Sequence, residues 1–118
     1  MKAATFFHGG PAGLGVGDLI RPAISLGLEH ERSAHQPHYN PHRVYVTQNR
    51  EYAAMFATNR GGPIYEVVPI GRLLVDVDAR GSFHCSAAQI VAVHPLTRLE
   101  TQPVTDRITD ILKGARIA

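Results

Sequence analysis

The sequence is poor in cysteine and has no long apolar run. Cys85 is its only cysteine, which excludes an internal disulfide framework and a zinc site built from cysteines. No apolar run approaches the roughly 20 residues that a membrane-spanning helix needs, and the first residues are too few for the apolar core of a secretory signal. We therefore expect a cytoplasmic protein that makes no contact with a membrane.

The net charge of the chain is small as well. Twelve Lys and Arg residues stand against ten Asp and Glu residues, a formal net charge of +2 with histidine neutral. The sequence contains no block of like charges, so it lacks a nucleic-acid-binding arm and a polybasic membrane anchor. Nucleic acid is therefore not an expected partner, and the composition favours no other.

What the sequence does contain is sufficient for one globular domain over residues 1–118. Apolar residues make up 44% of the chain and charged residues 19%, which are ordinary values for a folded protein. A chain of this length buries roughly two thirds of its unfolded surface, so a core can form without disulfides or metal.

Short β-prone runs separated by glycine- and proline-rich turns dominate the sequence. One helix is predicted over residues 51–57, capped by Asn49 and ended at Gly61, and an amphipathic helix is predicted after Thr105. Residues 29–43 show no period and are predicted to be a loop. The fold class that follows is α+β with few short helices. The predicted strands are residues 4–8, 44–47, 64–68, 73–78 and 89–94.

The glycine-rich segment near the start matches neither common phosphate-binding motif. A P-loop needs Gly-Lys-Ser/Thr, whereas Gly17 is followed by Asp18, and a dinucleotide-binding fingerprint needs its glycines to open a helix. Tight turns explain most of these glycines. Gly9 and Gly10 differ because they follow His8 at the end of a predicted strand, where a ligand can approach the backbone closely.

The histidine-rich loop is not expected to bind a metal. His38 and His42 are separated by Pro41 and lie on no helix that would present both, and the nearby acidic residues form no ligand pattern. Solvated histidines are the more ordinary explanation. Cys85 has His84 beside it, but neighbours on a strand point to opposite faces, so a buried thiol is favoured over a nucleophile.

Asp76 and Asp78 stand out among the acidic residues. Alternation along the predicted strand 73–78 places both carboxylates on the same face. Two like charges on one face repel each other and cost stability unless a ligand or a cation neutralises them. The sequence leaves open whether they form a site or the solvated face of an edge strand.

Four short blocks together carry a resemblance to a known family. They are residues 7–10 (Phe-His-Gly-Gly), 16–20 (Val-Gly-Asp-Leu-Ile), 44–48 (Val-Tyr-Val-Thr-Gln) and 62–71 (Gly-Pro-Ile-Tyr-Glu-Val-Val-Pro-Ile-Gly). In this order they resemble the small ADP-ribosyltransferases that inactivate rifamycin antibiotics, which have Tyr-His-Gly-Thr, Val-Gly-Asp-Leu, Val-Tyr-Val-Thr and Ile-Tyr-x-Val-x-Pro-x-Gly. Gly10 stands where that family has threonine.

The resemblance implies a split antiparallel β-sheet around an NAD cleft, a triad of His, Tyr and an acid, and no metal. It assigns His8 to the nicotinamide-side ribose, the Gly9 backbone to the carboxamide and Tyr45 to the nicotinamide ring. The acid that it implies is Asp76, with Asp78 second. The expected catalytic residues are His8, Tyr45, Asp76 and Asp78, and the expected NAD-binding residues are His8, Gly9, Gly10, Tyr45 and Phe56.

The function that the resemblance implies is mono-ADP-ribosyl transfer, with NAD consumed as a substrate and a hydroxyl of a rifamycin-like small molecule as the favoured acceptor. The alternatives are a NAD glycohydrolase, and a domain that binds NAD or a protein without turnover. Gln89, at the start of the predicted strand 89–94, is an outside candidate for the third triad residue. An RNA 2′-phosphotransferase of the same fold would need several arginines in its cleft, and Arg21 and Arg43 are too few.

Overall fold

An antiparallel sheet of seven strands organises the described part of the chain, residues 4–26 and 37–101 of a computed structural model. The strands are β1 (Phe6–Gly9), β2 (Leu19–Ile20), β3 (Val44–Thr47), β4 (Ile64–Ile70), β5 (Leu74–Val75), β6 (Ser82–Cys85) and β7 (Ala87–His94). Their spatial order is β2-β7-β4-β1-β3-β6-β5. A 3₁₀ turn at Ala23–Leu26 and the helices α1 (Arg50–Arg60) and α2 (Arg98–Thr101) accompany the sheet. The predicted α+β class, with an antiparallel sheet and few helices, is confirmed.

Helix α1 is bounded by the residues that the sequence predicts. The side chain of Asn49 accepts hydrogen bonds from the backbone N–H groups of Glu51 at 2.9 Å and Tyr52 at 3.3 Å. These bonds satisfy donors that the first turn of a helix leaves without an intrahelical acceptor. Gly61 ends the helix with a φ of 70°, a left-handed conformation that glycine adopts without a steric penalty.

Two buried clusters lie on the two faces of the sheet. Because side chains alternate between the two faces along β4, Tyr65 and Val67 belong to one cluster and Ile64 belongs to the other. In the second cluster, α1 packs so closely on β1 that a Cβ at Gly9 would overlap the carbonyl oxygen of Ala53. Helix packing therefore requires glycine at this position, independently of any ligand.

The strand predicted over residues 73–78 is wrong in its length. β5 contains only Leu74–Val75, and the chain turns directly after it, with the Ala79 N–H donating to the Asp76 carbonyl oxygen at 3.4 Å. Strand alternation therefore stops before the two aspartates. The sequence does not predict β2 and β6, because β2 is two residues long and β6 consists of Ser-Phe-His-Cys, in which Phe alone belongs to the residues that favour strands.

Part of the predicted architecture lies outside the described residues, namely the helix after Thr105 and the loop histidines His30 and His35. Residues 37–43 belong to a loop, as predicted. Within the two described ranges, no helix is long and apolar enough to cross a membrane.

Candidate active site

A cavity lies beside the place where β1 and β3 stop pairing. The two strands are paired at one position only, Phe7 with Thr47. Past that position, the side chain of His8 bridges the strands, with its Nδ1 2.7 Å from the carbonyl oxygen of Tyr45. The cavity has a volume of about 280 Å³, and its walls include residues of β1, β3, α1, the loop before β3 and the turn after β5. This short junction is therefore where the central strands leave room for a ligand.

Five of the residues predicted for the site line this cavity together. They are His8, Gly9, Tyr45, Phe56 and Asp76. They come from four separate parts of the chain, which the antiparallel pairing of β1 with β3 and the packing of α1 on β1 bring into one place. The grouping that the sequence blocks imply is thus present in the fold.

Three other predicted residues do not line the cavity. Gly10 is buried beside the His8 ring, where an added Cβ would lie 3.2 Å from Nε2. Asp78 is hydrogen-bonded to a neighbouring loop. Gln89 is exposed on β7, which β4 separates from β1, and its amide nitrogen lies 3.5 Å from the Gly17 carbonyl oxygen. Gln89 is therefore not placed to act on the same ligand as His8.

His8 is a neutral imidazole with a defined tautomer. Because the Tyr45 carbonyl oxygen can only accept, Nδ1 carries the proton and Nε2 is an acceptor. Burial lowers the pKa of His8 below its ordinary value, the Tyr45 carbonyl opposes this shift, and the positive charge of Arg60 adds to it. At neutral pH, Nε2 can therefore accept a hydrogen bond from a ligand hydroxyl.

We expect the free energy of unfolding to fall as the pH drops below about 6.5, the ordinary pKa of histidine. The folded pKa of His8 is lowered, so in this range the unfolded state binds a proton that the folded state does not, and acidification favours unfolding. His84 acts in the same direction, because burial and Arg43 lower its pKa. Urea denaturation at several pH values should show a flatter pH dependence for His8→Asn than for the wild type. Equal slopes would contradict the lowered pKa of His8.

Tyr45 presents its ring to the cavity and not to the core. Val44 and Val46, its neighbours on β3, are each 2% exposed and belong to the buried cluster, whereas Tyr45 is partly exposed. The alternation predicted for this strand is confirmed. The Tyr45 hydroxyl accepts a hydrogen bond from the Asn40 N–H at 2.8 Å, and burial raises the pKa of Tyr45 above its ordinary value.

Tyr39 is a cavity residue that sequence reasoning missed. Its ring stacks on Tyr45, with centroids 5.1 Å apart and an interplanar angle of 29°, and both rings line the cavity. The sequence offers no signal for this contact, because Tyr39 lies in a loop without periodicity and meets Tyr45 only through the tertiary fold. The stacked pair forms an aromatic wall of the cavity.

Asp76 brings a buried carboxylate to the cavity. The residue is 6% exposed, and its backbone N–H donates to the Ser82 carbonyl oxygen at 2.9 Å. Its Oδ1 accepts the backbone N–H of Asp78 at 3.0 Å. In the part of the chain that the structure describes, Oδ2 has neither a hydrogen-bond donor nor a cation as partner. A buried, incompletely partnered charge costs stability and is typical of a functional site.

Arginines lie closer to this region than the sequence suggests. Arg43 lines the cavity and donates to Nδ1 of His84 at 3.0 Å. Arg60 lines it too, and also a second cavity of about 230 Å³, which His8 and Arg21 line as well. Arg60 was missed because a basic residue in the last turn of a helix has an ordinary explanation in the helix dipole. The number of arginines therefore does not separate a phosphotransferase from an ADP-ribosyltransferase.

The metal and thiol predictions have different outcomes. Among residues 4–26 and 37–101, no three His, Cys, Asp or Glu side chains are grouped as a metal site would require. Because His30 and His35 lie outside these ranges, the absence of a metal stays a prediction. Cys85 is fully buried, and burial raises the pKa of its thiol, so the predicted buried thiol is confirmed.

The cavity combines a neutral imidazole, an aromatic wall and a buried carboxylate. The chain matches no protein-family model and no curated protein. A functional assignment therefore depends on the geometry of this cavity and on the four sequence blocks that resemble the rifamycin-inactivating family.

Proposed function

We propose that the protein cleaves the nicotinamide–ribose bond of NAD and transfers ADP-ribose to an acceptor hydroxyl. One observation supports this proposal most directly: the buried carboxylate of Asp76 lines the same cavity as His8 and Tyr45. Among the described residues, only one oxygen of this carboxylate has a hydrogen-bond partner. The three residue types and their order along the chain agree with the triad that the resemblance implies.

Asp76 supplies negative charge where positive charge develops. As the bond between ribose and nicotinamide breaks, its electron pair leaves with nicotinamide, and the ribose carbon and ring oxygen share a positive charge. A carboxylate in a site with little water stabilises this charge far better than one in bulk solvent. The acceptor oxygen then forms the new C–O bond and releases its proton, so the products are nicotinamide, the ADP-ribosylated acceptor and a proton.

His8 and Tyr45 hold the substrate in place. Since Nδ1 of His8 already donates to the Tyr45 carbonyl oxygen, Nε2 is the atom that accepts a hydrogen bond from a ribose hydroxyl. The stack of Tyr39 on Tyr45 offers an outer aromatic face to the nicotinamide ring, whose positive charge adds a cation–π attraction of about 0.5–2 kcal/mol. These contacts orient the substrate, while Asp76 acts on the reacting carbon.

The remainder of NAD needs more room than one cavity offers. Ligand sites usually measure roughly 300–1,000 Å³, and this cavity measures about 280 Å³. The second cavity, of about 230 Å³, shares His8, Ala23 and Arg60 with the first. We place the nicotinamide riboside half in the first cavity and the adenosine half against the apolar Leu14 and Ile20 of the second. Arg60, which lines both, is then near the pyrophosphate.

Incubation with NAD tests the proposal, with and without a rifamycin as acceptor, followed by mass spectrometry of the products. We expect release of nicotinamide and a rifamycin that has gained one ADP-ribose. Nicotinamide with only free ADP-ribose would identify a glycohydrolase instead. If the protein neither releases nicotinamide nor binds NAD in calorimetry, the proposal is wrong. Transfer of a 2′-phosphate from RNA to NAD would identify the phosphotransferase.

A further inference from the structure

Asp78 uses its carboxylate to hold a distant segment. Its Oδ2 accepts the backbone N–H of His38 at 2.8 Å, and its Oδ1 lies 2.6 Å from Nδ1 of the His38 ring, 40 positions away in sequence. The Asp78 side chain is only 6% exposed. Burial by itself would raise the pKa of Asp78, but the hydrogen bonds from His38 outweigh it, and the pKa lies below its ordinary value. Both oxygens are therefore engaged, which leaves little of this carboxylate for a ligand.

The segment that Asp78 holds forms part of the cavity wall. Residues 37–43, here termed the His38 segment, include Tyr39, whose ring stacks on Tyr45. They also include Asn40, whose N–H donates to the Tyr45 hydroxyl at 2.8 Å. The position of the aromatic wall thus depends on the position of the His38 segment.

Asp78 also contacts the turn that carries Asp76, but through its backbone. Its N–H donates to Oδ1 of Asp76 at 3.0 Å. Any side chain except proline keeps this N–H. A substitution at Asp78 therefore removes two contacts of the His38 segment, which is then held by the bond from the Ile24 N–H to the Pro41 carbonyl oxygen at 3.1 Å and by Tyr45, while the support of Asp76 stays in place.

We propose that Asp78 is a positioning residue, which fastens the His38 segment to the turn of Asp76 and so fixes the stacked Tyr39–Tyr45 wall. It is not a second catalytic carboxylate. The structural part of this proposal follows from the contacts of Asp78 alone, whereas the kinetic part rests on the proposed function. Since the wall binds the nicotinamide ring and Asp76 acts on the ribose, loss of the fastening affects substrate binding more than the chemical step.

Circular dichroism tests the structural part without any activity. The chain has no tryptophan and four tyrosines, so its near-ultraviolet signal reports on tyrosine packing. Tyr39→Ala and Asp78→Ala should each reduce this signal, and the double variant should lose little more, because both changes break the same stack. Val77→Ala, at a 71% exposed position between the two aspartates, is the matched control and should keep the wild-type signal. A wild-type signal in Asp78→Ala beside a reduced one in Tyr39→Ala would overturn the proposal.

Nicotinamide release tests the kinetic part. Asp78→Ala should raise the KM for NAD by about tenfold, the usual effect of losing hydrogen bonds to a charged group, with kcat within about threefold of the wild type. Asp78→Asn should recover part of the loss, because its amide oxygen still accepts the His38 N–H. A kcat as low as that of Asp76→Asn would make Asp78 catalytic and would refute the positioning role. If the wild type releases no nicotinamide, the proposed function fails, and the circular dichroism result still decides whether Asp78 fastens the segment.

Discussion

Asp76→Asn should lower kcat for nicotinamide release by about 10²–10³ and leave the KM for NAD nearly unchanged. The substitution keeps the size of the side chain and an oxygen that can accept the Asp78 N–H, so the turn after β5 is preserved and only the charge is removed. That charge acts mainly on the transition state, where the ribose becomes positive. Steady-state kinetics with varied NAD measure both constants.

The same variant should be at least as stable as the wild type. The wild-type carboxylate is buried and has no ion pair among the described residues, so neutralising it removes a desolvation cost. A melting temperature several degrees below that of the wild type, together with lost activity, would show that Asp76 is needed for folding. The catalytic assignment would then lose its main support.

Two further variants serve as controls for the carboxylate assignment. Asp78→Asn should keep kcat within about threefold of the wild type, because Asp78 positions the His38 segment and does not act on the ribose. Gln89→Ala should be indistinguishable from the wild type, since Gln89 is exposed on β7 outside the cavity. Near-wild-type turnover in both Asp76→Asn and Asp78→Asn would exclude carboxylate catalysis at this site.

The parts of the fold that could be predicted are those with strong local signals. Helix α1 has a capping asparagine at one end and a left-handed glycine at the other, and both signals act within a few residues. β3 consists of Val-Tyr-Val-Thr, which favours a strand by itself. The strand predicted over residues 73–78 is longer than β5, because Val77 continues the apolar pattern past Val75, where pairing with β6 ends. The end of an edge strand depends on its partner, which local sequence does not specify.

The site could be predicted only as far as its residues carry a motif. His8 and Tyr45 lie in blocks with distinctive neighbours, and the structure places both in one cavity. Tyr39 and Arg60 belong to no motif, and they reach the cavity only through the packing of the His38 segment and of α1. Asp78 is the opposite case, a residue that the sequence predicts for the site and that has another role in the structure. Its type and spacing suggest a catalytic acid, yet its contacts are with His38.

Tyr45→Ala should abolish measurable turnover of NAD while the protein remains folded. The ring forms the cavity wall with Tyr39, and removing it takes away both the cation–π attraction and the surface that orients the nicotinamide ring, for which misplacement alone can cost about 10²-fold in rate. The core should persist, because Val44 and Val46 keep the inner face of β3 intact. Thermal unfolding and nicotinamide release, measured on the same preparation, separate the two effects.

Tyr45→Phe and Tyr65→Ala give the matched comparisons for this prediction. Tyr45→Phe keeps the ring and loses only the hydroxyl that accepts the Asn40 N–H, so it should retain most of the turnover. Tyr65 is fully buried, and Tyr65→Ala should cost about 3–5 kcal/mol, as expected when a core aromatic ring is removed. If Tyr45→Ala is destabilised as strongly as Tyr65→Ala and keeps its specific activity, Tyr45 is a core residue. The aromatic wall would then have to be assigned to Tyr39 or to the rings of α1, because Tyr52 and Phe56 also line the cavity.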